Sequence, residues 1–144
     1  MKTMCRLATC FFLLVGLIAL TAANVQAGGS DPNAKAVLGV SYQWPSNMGR
    51  SSSVSPEIHL TGVPDGTVKY KCEFQDEDRP QNDHGGGTVE CGADKNVVQK
   101  GALKRYRGPD PPPSENHTYT VTVKALDANG KVLATGKGSN KCCR

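Results

Sequence analysis

A histidine and a tyrosine stand two residues apart in the stretch HTYTVTVKALD, at His117 and Tyr119. Polar and apolar residues alternate through this stretch, which predicts a strand with both side chains on one face. An imidazole and a phenol there can donate hydrogen bonds to a bound group, although a lone histidine is more often structural. The preceding GPDPPPSEN is a stiff loop, which loses little entropy when it is held in one shape.

Three consecutive acids follow another predicted strand, in the stretch QDEDRP. Such a run is usually a solvated edge. At a strand end, however, Asp76 and Asp78 point to the same face, where they can accept hydrogen bonds from loop amides or form the wall of a pocket. Carboxylates also suit calcium, but the DxDxDG loop pattern is absent. We therefore expect no metal site.

The run HGGG, His84 to Gly87, is similar to the oxyanion loop of esterases. That chemistry needs a nucleophilic serine on a GxSxG elbow, and the sequence contains none. The run is more simply predicted to be a flexible glycine loop. With no other catalytic pattern or cofactor motif, we expect a protein that is not an enzyme and uses no cofactor.

The first 27 residues have the features of a secretory signal peptide. Lys2 and Arg6 precede an uncharged apolar run, and cleavage is most plausible after Ala27. The apolar run is too short to span a membrane. We expect a secreted or periplasmic protein with a flexible start at 28–34, one domain at 35–144 and no membrane span.

Four cysteines remain after removal of that segment, at Cys72, Cys91, Cys142 and Cys143. An even number in a small exported domain predicts two disulfides. Zinc is the alternative, but no CxxC pair is present and adjacent cysteines rarely ligate one ion. Because a bond between neighbours is strained, we expect each C-terminal cysteine to reach back to Cys72 or Cys91.

The charge balance indicates no particular partner. Without Lys2 and Arg6, the chain has 15 basic against 13 acidic residues. Lys100, Lys104, Arg105 and Arg107 do cluster, but without interleaved aromatic residues. We therefore predict a solvated loop and no binding to nucleic acid.

Short alternating segments separated by Gly/Pro turns predict an all-β sandwich. In the first segment, the better core face carries Leu38, Val40, Tyr42 and Trp44. The stretch TVKYKCEF alternates clearly, and GTVECG and GKVLATGKG add further strands. At most one short helix is expected, in NVVQKGALKRY.

Two of these stretches resemble the phosphatidylethanolamine-binding protein (PEBP) family, in its bacterial Raf-kinase-inhibitor-like branch. VSPEIHLTGVPDGTVKYKCEFQDEDRP is similar to the family segment VSPxLxWxxVPxGTxSFxxxxxDPDAP. YRGPDPPPSENHTYTVTVKALD is similar to YxGPxPPxGxHRYxFxVxALD. The resemblance implies a PEBP-like β-sandwich with Greek-key character. In this chain the sandwich would be small, stapled by the disulfides expected above, and shortened relative to the family in the middle and at the C-terminus.

The resemblance also implies a small anion-binding pocket at one end of the sandwich. Its residues in this chain would be Asp76, Asp78, His84, Pro111, Pro112, His117 and Tyr119. The prolines would form the rim, and His117 and Tyr119 the floor. The chain departs from the family pattern at Glu77, Arg79 and Thr118, which stand where the family has proline, alanine and arginine.

Two functions follow from this interpretation. The favoured one is an exported binding protein for a small anionic or phosphorylated ligand, because a protonated imidazole and backbone amides attract anions. The alternative is an interaction or inhibitor protein, for example of a secreted protease, with a vestigial pocket and a protein partner. Substitutions in the pocket would abolish the first activity and spare the second.

Overall fold

The computed structural model describes residues 37–45 and 51–142. Their regular elements are seven strands: β1 (Gly39–Tyr42), β2 (Ile58–Thr61), β3 (Lys69–Asp76), β4 (Asp83–Glu90), β5 (Val97–Val98), β6 (His117–Leu126) and β7 (Val132–Cys142). They form two antiparallel sheets with the orders β1-β2-β5 and β4-β3-β6-β7. The all-β prediction is confirmed, whereas the Greek-key connectivity stays a prediction.

The larger sheet is organised by the central strands β3 and β6. In β3, Tyr70, Cys72 and Phe74 are buried while Lys71 and Glu73 are exposed, as its alternation predicts. The two strands pair in register from Lys69 opposite Leu126 to Asp76 opposite Tyr119. The end of β3 therefore lies directly beside the start of β6.

The hydrophobic core joins the inner faces of the two sheets. Leu38 and Tyr42 from the first segment are buried in it, and Val40 and Trp44 pack against it, which confirms the predicted core face. The remaining members come from both sheets and from the segment before β6, among them Ile58, Leu60, Val98, Leu103, Tyr106, Val121 and Val123. Burial of this apolar surface is the main stabilising term of the fold.

The HGGG run is part of strand β4, so the prediction of a flexible loop was wrong. Gly86 pairs with Glu73 and Asp83 pairs with Gln75, which leaves two residues of β4 opposite the single residue Phe74. This is a β-bulge. Gly85, Gly86 and Gly87 all have positive φ angles, between 65° and 149°, which explains why glycine serves here.

The segment NVVQKGALKRY is not helical. Val97 and Val98 pair with β2, and Gly101 has a φ of +75°. A residue in that left-handed region interrupts helical hydrogen bonding. The amide of Gly101 instead donates to the carbonyl of Ser55. No helix in the part of the chain that the structure describes is long and apolar enough to cross a membrane.

The predicted disulfides that involve Cys72 and Cys91 are wrong, because both are free thiols. Along β6, Cys72 lies opposite Val123 and Cys142 lies opposite His117. Those positions are about 20 Å apart at the rise of a strand, whereas a disulfide needs Cα atoms within about 7 Å.

Cys91 is also out of reach. Its amide donates to the carbonyl of Val68, which directly precedes β3, four residues from Cys72 and farther still from Cys142. Cys142 is disulfide-bonded, but its partner is neither of these two free thiols. Cys143 lies outside the described residues, as do the predicted signal peptide and the predicted flexible start at 28–34.

Candidate functional site

The candidate site lies where the end of β3 meets the start of β6. Asp76 is the last residue of β3 and pairs with Tyr119, and His117 is the first residue of β6. Because side chains alternate along a strand, His117 and Tyr119 point inward together. Asp76, His117 and Tyr119 are 1%, 4% and 1% exposed.

Asp76 and His117 form a buried ion pair. Nδ1 of His117 donates to Oδ2 of Asp76 at 2.7 Å. This hydrogen bond raises the pKa of His117 above its ordinary value, against the opposing effect of burial. Burial alone would raise the pKa of Asp76, but the hydrogen bonds from His117 and two backbone amides outweigh it, so that pKa is lowered.

The remaining carboxylate oxygens are bound to backbone amides. Oδ1 of Asp76 accepts from the amides of Asp78 and Arg79 at 2.9 and 3.1 Å. Oδ2 of Asp78 accepts from the amide of Thr118 at 2.7 Å. The two acids thus accept from backbone amides, as the sequence predicted, and they connect the β3 end to the β6 start.

His84 is brought into the site by the bulge in β4. It is 7% exposed, and its ring packs edge-on against Tyr119 with centroids 5.1 Å apart. Nδ1 of His84 lies 3.1 Å from the carbonyl oxygens of both Arg107 and Gly108. Because both neighbours are acceptors, Nδ1 carries a proton, and Nε2 faces Oδ2 of Asp76 at 4.0 Å.

Several buried polar atoms around the site lack a hydrogen-bond partner. Among the described residues these atoms are Trp44 Nε1, His84 Nε2, Tyr106 Oη and Tyr119 Oη. Tyr119 contacts Trp44 edge-on at 5.8 Å, in addition to His84. Burial, followed by the negative charge of Asp76, raises the pKa of Tyr119, so its hydroxyl keeps its proton at neutral pH. Buried groups of this kind usually have a partner, which can be protein, water or ligand.

The second nitrogen of His117 is occupied by Glu115. Nε2 of His117 lies 3.1 Å from Oε2 of Glu115, whose side chain is 53% exposed. This contact is the second largest favourable contribution to the raised pKa of His117. The sequence interpretation missed Glu115, which precedes the first residue of β6, where the alternation of strand side chains gives no signal.

A cleft of about 630 Å³ opens beside the site. Its lining residues are Ser51, Ser53, Gln81, Asn82, Asp83, His84, Tyr106, Arg107, Gly108 and Asp110. His84 therefore faces this cleft with one edge and the Asp76 carboxylate with another. Tyr106 and Trp44, like Glu115, were not predicted as site residues; only their aromatic side chains near the predicted core gave a signal.

The two predicted prolines support the loop between the cleft and His117. Pro111 is fully buried, and Pro112 is partly buried. The carbonyl of Pro112 accepts from the amide of Glu115 at 3.1 Å. This turn fixes the backbone from which the Glu115 side chain extends, whereas no described contact joins either proline to the acids or histidines.

Asp76, Asp78 and His117 also bring potential metal ligands within 4.8 Å of one another. The atoms concerned are already hydrogen-bonded, however: Nδ1 of His117 to Asp76, and the acids to backbone amides. A metal ion would have to displace those bonds. The arrangement therefore fits a hydrogen-bonded ion-pair network better than a metal centre.

No protein-family model and no curated protein matches this sequence. Solved structures do give matches. One is described as a PEBP homolog from Chlamydia trachomatis, with a TM-score of 0.49 and 17% identity over 75% of this chain and 99% of that chain. Another is YbcL of E. coli, described as a new member of the mammalian PEBP family, with a TM-score of 0.37 and 19% identity over 62% of this chain and 79% of that chain. Both carry the family name that the two sequence segments predict.

Proposed function

We propose that this chain is a binding protein, and not an enzyme, that holds a small anionic group of the phosphate type next to His117. The observation that carries the proposal is the buried Asp76–His117 pair, 2.7 Å long, beside unpartnered polar atoms of Trp44, His84 and Tyr119. The acceptor oxygens of a phosphate monoanion would satisfy the donors of Trp44 and Tyr119, and its P–OH group would donate to Nε2 of His84, which is an acceptor while Nδ1 carries the ring proton.

The charge of His117 makes this chemistry favourable. Asp76 stabilises the imidazolium and holds its Nδ1 side, so that the proton on Nε2 is directed away from the carboxylate. A charged donor forms stronger hydrogen bonds to an anion than a neutral one. Asp76 itself would repel an anion, which limits the affinity to the millimolar or high micromolar range, about −4 to −5.5 kcal/mol.

A phosphate titration followed by NMR tests the proposal. We expect inorganic phosphate to shift the side-chain signals of His117 and Tyr119 at pH 5.5, and to do so more weakly at pH 8. The reason is that the imidazolium loses its charge as the pH rises through its pKa. Sulfate at both pH values separates this effect from the change in the charge of phosphate itself.

A variant pair controls for nonspecific binding. His117→Gln keeps a hydrogen-bonding side chain but cannot become charged, so phosphate should no longer shift Tyr119. His59→Gln removes an exposed histidine on β2, on the smaller sheet, and should leave the titration unchanged. If wild type and His117→Gln respond equally to phosphate, the proposal is wrong.

We also propose that the protein acts after export, in a secreted or periplasmic location. Support comes from the charged start, apolar run and small-residue cleavage site in the first 27 residues. Expression of the full chain in a bacterium should give periplasmic protein whose intact mass is that of a chain beginning at Gly28. Cytoplasmic protein that retains Met1 would contradict this.

A further inference from the structure

Only Nε2 of the His117 ring is not bound to Asp76, and the carboxylate of Glu115 already contacts it. Nδ1 is committed to Asp76 at 2.7 Å, which leaves Nε2 as the remaining donor. Oε2 of Glu115 lies 3.1 Å from that nitrogen. A carboxylate of the protein therefore holds the position at which an external anion would bind.

We propose that Glu115 is an internal occupant of the anion position, and that an anionic ligand binds only by displacing it. This inference rests on the proposed function, and it identifies the residue that sets the affinity of that site. The two carboxylates that contact His117 differ in exposure and role. The Asp76 side chain is buried and positions the ring, whereas the Glu115 side chain is 53% exposed and covers Nε2.

Glu115 can leave without disturbing the fold. Its amide is held by the carbonyl of Pro112, so the backbone stays fixed while the side chain rotates into solvent. The preceding Ser114 has a φ of +69°, which directs the chain sharply into the start of β6. Among the described residues, the Glu115 carboxylate makes no ion pair with any lysine or arginine that would hold it elsewhere.

The other charged groups near His117 cannot perform the same role. Both oxygens of Asp76 are used by His117 and by backbone amides. Asp78 accepts from the amide of Thr118. On the opposite side, His84 is anchored through Nδ1 to two carbonyl oxygens of the loop. Of the charged residues in ranges 37–45 and 51–142, only Glu115 combines contact with Nε2 of His117 and exposure to solvent.

The gain in anion affinity expected on removing the Glu115 carboxylate depends on the fraction of time that this carboxylate covers Nε2 of His117. If Glu115 covers Nε2 between two thirds and nine tenths of the time, the apparent affinity for an anion is reduced about 3- to 10-fold. Glu115→Gln should recover that factor. It should also lower the pKa of His117, because the carboxylate that helps to raise this pKa is gone.

The experiment is a titration of the mature protein with inorganic phosphate at pH 5.5, followed through the His117 ring signals. It compares wild type with Glu115→Gln and Glu77→Gln. Glu77 is exposed, close in sequence to Asp76, and makes no described ion pair, so its substitution removes the same charge without freeing Nε2. We expect about 3- to 10-fold tighter binding for Glu115→Gln, and less than a twofold change for Glu77→Gln because exposed charges are screened.

Acetate provides an independent measurement. Glu115→Ala leaves a carboxylate-sized space at Nε2, so acetate should shift the His117 signals in this variant and leave wild type unshifted at the same concentration. This restoration by a small carboxylate is not expected if Glu115 merely stabilises the loop.

The outcomes separate the inference from the function on which it rests. If phosphate binds at His117 in wild type and Glu115→Gln binds no more tightly than Glu77→Gln, the internal occupant is refuted and the anion site stands. An unchanged His117 pKa in Glu115→Gln also refutes the occupant. If phosphate shifts His117 in none of the three proteins, the anion site itself is wrong and the inference falls with it.

Discussion

Asp76 and His117 are 41 positions apart in the sequence, yet their side chains form a 2.7 Å hydrogen bond inside the protein. The pair joins the end of β3 to the start of β6, and the remaining oxygen of Asp76 also orders the following turn through two amides. It is therefore both a structural tie between two central strands and the centre of the candidate site.

Substitution of Asp76 should be strongly destabilising. Asp76→Asn leaves the His117 ring without its charged partner and should reduce the free energy of unfolding by about 3 kcal/mol, as is typical when one partner of a buried ion pair is removed. Urea denaturation at pH 5.5 measures this. Asp78→Asn is the control: Asp78 is exposed and accepts one amide, so about 1 kcal/mol is expected. Equal losses in the two variants would contradict the central role of Asp76.

The stability of the fold should be greatest in mildly acidic solution. The pKa of His117 is raised in the folded state, so its contribution is complete below the ordinary value of about 6.5 and is lost as pH rises through the raised pKa. The pKa of Asp76 is lowered, so its contribution is complete above about 3.9 and is lost as pH falls through the lowered pKa.

Between about pH 4 and 6.5 both contributions are present. Denaturation curves recorded from pH 3 to pH 9 should show this maximum in wild type. His117→Gln should flatten the decrease above pH 6.5, since no titrating imidazole is left in the pair. A decrease that is equally steep in this variant would assign the effect to other groups.

A side chain at Gly85, in strand β4, should destabilise the fold. A Cβ atom there would collide with the backbone carbonyl oxygen of Arg105, and the φ of +65° disfavours alanine in any case. We expect Gly85→Ala to cost about 3 kcal/mol or more, and to displace His84. Gly130→Ala is the control, because its φ is +81° but no atom lies within 4 Å; about 1 kcal/mol is expected. Thermal denaturation compares the two, and similar costs would refute the packing argument.

Cys72 and Cys91 should be free thiols in the mature protein. Burial raises the pKa of the Cys72 thiol to about 12, so it should resist alkylation in the native state, and Cys91, which is partly exposed, should react first. After denaturation without reductant, both should become labelled. Mass spectrometry of the alkylated peptides checks this, and a disulfide-linked peptide that contains either residue would contradict the strand register described above.

Much of the sheet could be predicted from the sequence because its strands alternate clearly. The segment around Tyr70, Cys72 and Phe74 is buried on one face as its period of two requires. The same rule placed His117 and Tyr119 on one inward face, but it could not place Glu115, which precedes β6 and is exposed. The prediction of a short helix in NVVQKGALKRY was wrong, because pairing with β2 and the conformation of Gly101 override the helical composition of this segment.

The sequence by itself determined the residue types of the site and the alternation that turns the strand residues inward. It also determined the resemblance of the stretches around Asp76 and His117 to segments of the PEBP family. Only the tertiary structure decided that a bulge in β4 brings His84 to Tyr119, and that Glu115 covers Nε2 of His117. It also decided that Cys72 and Cys91 lie out of reach of Cys142 and of each other. The physical reason is that these features depend on the register between strands far apart in the chain, where a shift of one residue reverses every side chain and a local pattern contains no information about the partner.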